Sequence, residues 1–151
     1  MALAQPTLDT LKAQLNELGQ KYSRLSAEDL YVMWFLRAYM TDDPETAAKA
    51  ITNGPKDKGL DAVLIDDSAR GVFLVQGKYH KSLYKNSEKR TDVVDFANIA
   101  SVLLGPDRRA LDDMLADADP VVAEKMKAAR SKLVKGQYRL WLYYVTTGKC
   151  S

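Results

Sequence analysis

The chain has 151 residues, 46% of them hydrophobic and 28% charged, with 22 Lys and Arg against 20 Asp and Glu. This is enough apolar content for one packed core and too much for a disordered segment, and a formal charge of +2 does not by itself mark a nucleic-acid protein. The opening MALAQPTLDT lacks the basic and apolar regions of a secretory leader, no run approaches the roughly 18 apolar residues of a membrane span, and the single Cys150 rules out an internal disulfide or a cysteine-built zinc site; a cytoplasmic location fits all three.

In chain order, Leu8, Leu11, Leu15 and Leu18 recur at helical spacing within Thr7 to Ser23, so residues 1–25 read as an N-terminal helix ahead of a core over 26–149. Ser26, followed by Glu28 and Asp29, opens a second helix through Met40. Tyr31, Val32, Trp34, Phe35, Leu36 and Tyr39 leave it almost no polar face, which predicts that it is covered on most sides or meets a second copy in a homodimer. Asp43-Pro44-Glu45 starts a short third helix that ends at the Asn53-Gly54-Pro55 break.

Leu60 to Ile65 and Val72 to Tyr79 read as two strands joined by a turn over Asp66 to Gly71, a β-hairpin. Three helices follow: Arg90 to Leu104, ended by Gly105-Pro106; Arg108 to Ala116; and Pro120 to Val134, closed by Gly136. The last element, YRLWLYYVTT over Tyr138 to Thr147, is aromatic and β-branched and predicts a buried strand. Because the chain stops shortly after it, the sequence reads as an N-terminal excerpt of a longer protein whose C-terminal partner domain is missing.

The hairpin carries the chemistry. If Ile65 lies opposite Val72, cross-strand partners have numbers that sum to 137, and Asp61 faces Gln76. Side-chain alternation then puts Lys78 on the Gln76 face and turns Phe73, Val75 and Tyr79 into packing. A carboxylate, an amide oxygen and an ammonium held by two strands suit phosphoryl transfer: Asp61, the Gln76 oxygen and the Gly77 carbonyl as ligands of Mg²⁺, with Mn²⁺ as substitute, and Lys78 for developing charge. Spacing alone fits equally a turn-ending Asp61 and a solvated edge charge at Lys78.

GPKDKGLDAVLID followed by VFLVQGKYHKS resembles the active-site region of the PD-(D/E)XK, restriction-endonuclease-like nucleases in the variant where Gln replaces the middle acid. With VVDFANIASVLL and LYYVTTGK, the stretch from about Ser26 to Lys149 is similar to the N-terminal nuclease domain of abortive-infection phage-resistance (AIPR) proteins. The resemblance implies an α/β fold with a small mixed sheet around a central hairpin, Mg²⁺-dependent cleavage of DNA or RNA in anti-phage defence, and metal, metal and catalytic-lysine roles for Asp61, Gln76 and Lys78. The neutral amide leaves the site one carboxylate short. Glu28 is the candidate to complete it, with Asp29 and Glu45 behind, although an acid in a first helical turn also serves the helix dipole.

Lys81, Lys85, Lys89 and Arg90 follow Lys78 as a basic strip with His80 beside it, while Asp112, Asp113, Asp117 and Asp119 gather elsewhere. The small net charge thus hides a polar distribution suited to a phosphate backbone, so nucleic acid is the expected partner. Trp34, Trp141, Tyr138, Tyr143 and Tyr144 read as core aromatics rather than a base-stacking platform.

Overall fold

The computed structural model describes residues 8–52, 60–80 and 90–148. Three helices precede a hairpin: α1 (Leu8–Lys21), α2 (Ala27–Tyr39) and α3 (Pro44–Ala50), then β1 (Ala62–Asp66) and β2 (Gly71–Lys78). α4 (Arg90–Leu104), α5 (Arg108–Leu115) and α6 (Pro120–Val134) lead to β3 (Arg139–Thr146). The caps explain the helix starts: Ser26 accepts the Asp29 N–H, Asp43 accepts that of Glu45, and Asp119 accepts that of Val121, with Pro44 and Pro120 in the first turns.

The fold is α/β. Its three-stranded mixed sheet runs β1-β2-β3, β1 antiparallel and β3 parallel to the central β2. Alternating β-strand side chains divide the core in two. Val63, Val72 and Leu74 pack under α4, α5 and α6 with Phe96, Leu103, Met126 and Leu133. Ala62, Leu64 and Val75, with Phe73 beside them, pack under α2 and α3 with Val32, Met33, Leu36 and Ala47. α1 lies outside α2, where Leu11 and Leu15 meet Tyr31 and Tyr79.

The hairpin keeps the 137 register from Ala62↔Val75 to Asp66↔Gly71. The expected turn shortens at both ends, because Asp66 and Gly71 pair and leave a turn over 67–70. Asp66 accepts the Ala69 N–H there, and Arg70 takes a left-handed φ of 51°. A clasp ties this turn to the α6–β3 junction: the Tyr138 hydroxyl donates to Asp67 at 2.7 Å, Lys132 pairs with Asp67 at 3.2 Å, and Arg70 donates to the Gly136 carbonyl and lies over the Tyr138 ring.

The expectation for β3 changes, while α2 meets the first of its two alternatives, cover on most sides. β3 is not a buried strand: it lies at the sheet edge, and Trp141 and Leu142 are 45% and 37% exposed. Aromatic and β-branched composition reports strand formation, whereas burial depends on what covers the strand. Trp141 is therefore no core aromatic, unlike Tyr143 and Tyr144, which pack against Phe73 and Phe96. The apolar α2 is covered mostly from within the chain, with Tyr31, Val32, Met33, Phe35 and Leu36 buried and Tyr39 71% exposed. Trp34 on its flank donates from the indole N–H to the Gln14 amide oxygen at 2.6 Å. Among the described residues no helix is long and apolar enough to cross a membrane.

Candidate active site at the end of the hairpin

Asp61 sits one residue before β1, where the regular ladder ends. Its N–H donates to the Val75 carbonyl at 2.9 Å, and its Oδ2 accepts the Gly77 N–H at 2.7 Å. Asp61 thus bonds both neighbours of Gln76, Val75 through its backbone N–H and Gly77 through its carboxylate.

Gln76 follows Val72 and Leu74 in the alternation of β2, so its side chain turns toward the α4–α6 layer. It is buried at 7% exposure, and its Oε1 has no hydrogen-bond partner among the described residues. Nearly all buried polar atoms are satisfied, and leaving one unpaired costs about 1–3 kcal/mol. Orphaned acceptors of this kind fit a ligand that brings a positive charge. The donor set here, one carboxylate, one amide oxygen and the nearby Gly77 carbonyl, is all oxygen and suits a hard divalent cation.

Gly77 permits the close packing of this strand on α2. A Cβ added there would lie 2.6 Å from Val32 Cγ2, with the Tyr31 ring 3.5 Å away. Lys78, half-buried, ends β2 opposite Thr146, and Tyr79 packs against Tyr31 with ring centroids 5.5 Å apart. His80, also half-buried, is tied through its backbone to Thr147.

The acids named as candidates to complete the site lie in first helical turns. Glu28 is exposed in the first turn of α2, and α2 covers the face of β2 opposite the one the Gln76 side chain enters. Glu45 is exposed in the first turn of α3. Among the described residues no group of three or more His, Cys, Asp or Glu is placed to hold a metal ion. Of the basic strip, Arg90 opens α4 as an exposed residue, while Lys81, Lys85 and Lys89 lie outside the described residues, as does Cys150.

Sequence reasoning overlooked Thr52 and Thr147. With Gln76 they are the buried polar side chains among the described residues, at 3% and 4% exposure. The signal was available only as hydroxyl residues at the ends of apolar segments. No protein-family model matches the chain, and no curated protein or solved structure is significantly similar to it.

Proposed function

We propose that this domain is a metal-dependent endonuclease that hydrolyses phosphodiester bonds of nucleic acid, DNA ahead of RNA, with a restriction-endonuclease-like core and a PD-(D/E)XK site in its glutamine variant. The observation that carries the reading is the buried Gln76 amide oxygen, unpartnered among the described residues, next to Asp61, whose carboxylate is pinned to the same strand. The central position of β2 and the QGK order along it support the same assignment. The likeness to AIPR nuclease domains adds a role in anti-phage defence.

Asp61, Gln76 and the Gly77 carbonyl would hold Mg²⁺ or Mn²⁺; when bound, such an ion polarises a phosphodiester and acidifies a water molecule. Lys78 shares the strand side of Gln76 and places an ammonium for charge that develops on the phosphoryl oxygens. His80 and Arg90, together with Lys81, Lys85 and Lys89, supply contacts to backbone phosphates, which position a strand without reading its sequence.

The test is cleavage of plasmid, linear DNA and RNA by the purified protein in Mg²⁺, Mn²⁺ or EDTA, run beside Asp61→Ala and Lys78→Ala. Metal-supported cleavage lost in both variants, with unchanged circular dichroism, is the expected result. Undiminished cleavage by Lys78→Ala refutes the mechanism. One observation favours a second reading, a nucleic-acid-binding domain without turnover: among the described residues no group of three or more His, Cys, Asp or Glu could hold a metal ion. That domain would retain nucleic acid at low salt while a calorimetric Mn²⁺ titration shows no uptake.

A further inference from the structure

All three buried polar side chains of the described residues, Thr52, Gln76 and Thr147, belong to one region. Gln76 lies between the partners of Asp61, and the two threonines fasten the chain on either side of it. Thr52 donates from its hydroxyl to the Leu60 carbonyl at 2.5 Å, and its N–H donates to the Asp61 carbonyl at 3.0 Å. Thr147 works the same way on the other strand. Its N–H donates to the Lys78 carbonyl at 3.1 Å, its Oγ1 accepts the His80 N–H at 2.6 Å, and the hydroxyl lies 3.2 Å from the His80 carbonyl as donor.

Both clamps stand where the regular ladders stop. The β1–β2 register ends at Ala62 and the β2–β3 register ends at Lys78, so Leu60, Asp61, Tyr79 and His80 lie beyond the paired register. Ladder ends of that kind fray unless something satisfies their backbone groups. A hydroxyl carries both a donor and an acceptor and can stand in for a missing strand residue, which a Val of the same shape cannot.

We propose that Thr52 and Thr147 are positioning residues: Thr52 sets the Asp61 carboxylate, and Thr147 sets Lys78 and His80, so that the two halves of the site keep their spacing. The assignment rests on the nuclease reading of Asp61 and Lys78. It extends that reading to two residues that touch neither metal nor substrate.

The test compares Thr52→Val and Thr147→Val with Thr52→Ser and Thr147→Ser. In the Mn²⁺ cleavage assay, kcat of each Val variant falls about 10- to 100-fold, the loss expected when reacting groups are displaced by up to about 1 Å. KM and nucleic-acid affinity stay unchanged in Thr52→Val, which touches no phosphate contact, and the Ser variants recover most of the rate. A purely structural role predicts Val variants that melt earlier but keep wild-type kcat per folded molecule, and that result overturns the proposal.

If the wild-type protein cuts no substrate, the nuclease reading fails, and the clamp is read separately by amide hydrogen exchange. Exchange at His80 speeds up in Thr147→Val and returns toward wild type in Thr147→Ser, with exchange at Leu74 unchanged. Equal exchange at His80 in wild type and Thr147→Val overturns the clamp whatever the activity.

Discussion

Replacing Gln76 by Met separates stability from metal binding in one substitution. Met keeps the unbranched stem and fills the same irregular space, but it removes the amide. In wild type the buried Oε1 has no partner among the described residues, which costs about 1–3 kcal/mol in the absence of a cation. Removing the amide also forfeits whatever hydrogen bond its NH₂ group makes, about 0.5–1.5 kcal/mol. The difference favours the variant by about 1 kcal/mol, a rise in Tm of about 2–4 °C for a domain of this size. Metal reverses the order: a ligand at about 100 times its Kd stabilises wild type by about 2.7 kcal/mol and leaves a variant that has lost an oxygen ligand behind it. The assay is thermal unfolding of both proteins in EDTA and in a Mn²⁺ series. A variant less stable than wild type in EDTA would mean that the amide oxygen is satisfied in solution, and the argument for a cation would lose its principal support.

Gly77→Ala is expected to destabilise the protein by about 1–3 kcal/mol in urea unfolding, since the new methyl group lies 2.6 Å from Val32 Cγ2. Val32→Ala in the same chain should return part of that loss, and strict additivity would refute the contact. Loss of a residue that orients a metal ligand costs about 10- to 100-fold in affinity, and Glu28→Ala should fall well short of this in Mn²⁺ titration because α2 covers the opposite face of β2. A full loss would place Glu28 in the site. The carboxyl of Asp67 is held below its ordinary pKa of 3.8, first by the Tyr138 hydroxyl and then by Lys132. A depressed folded pKa gives stability that is present above 3.8 and lost as pH falls through the folded value. Asp67→Asn should therefore flatten the stability profile below about pH 4 and leave its shape near neutrality unchanged. An unaltered acid limb would show that the clasp at the hairpin turn does not couple to folding.

Local chemistry made much of the architecture legible. The helix starts followed from side chains that bond to nearby backbone: Ser26, Asp43 and Asp119 stand where an N-cap must, and Pro44 and Pro120 stand where an N–H is dispensable. The hairpin register followed from the turn, which sets Ile65 opposite Val72 and so pairs Val63 with Leu74 and Leu64 with Phe73, and the two-residue period then fixed the face of each side chain. The same period put Gln76 and Lys78 on one side of β2.

Long-range packing decided what local chemistry could not. The apolar, aromatic composition of β3 was clear in the sequence, but its place at the sheet edge depends on which strands lie beside it. The placement of α2 over the Gly77 side depends on packing between segments far apart in the chain, Val32 and Tyr31 against Gly77. Thr52 and Thr147 look like ordinary polar residues at segment ends until folding brings them to Asp61 and His80, partners 9 and 67 positions away (61 − 52 and 147 − 80). Sequence by itself determined which segments are helix or strand and which residues could do chemistry, because those properties follow from neighbours a few residues apart. Tertiary structure alone decided that the Gln76 oxygen is buried without a partner among the described residues and that two threonines close the ladder ends around it, because burial and hydrogen bonding belong to contacts between distant parts of the chain.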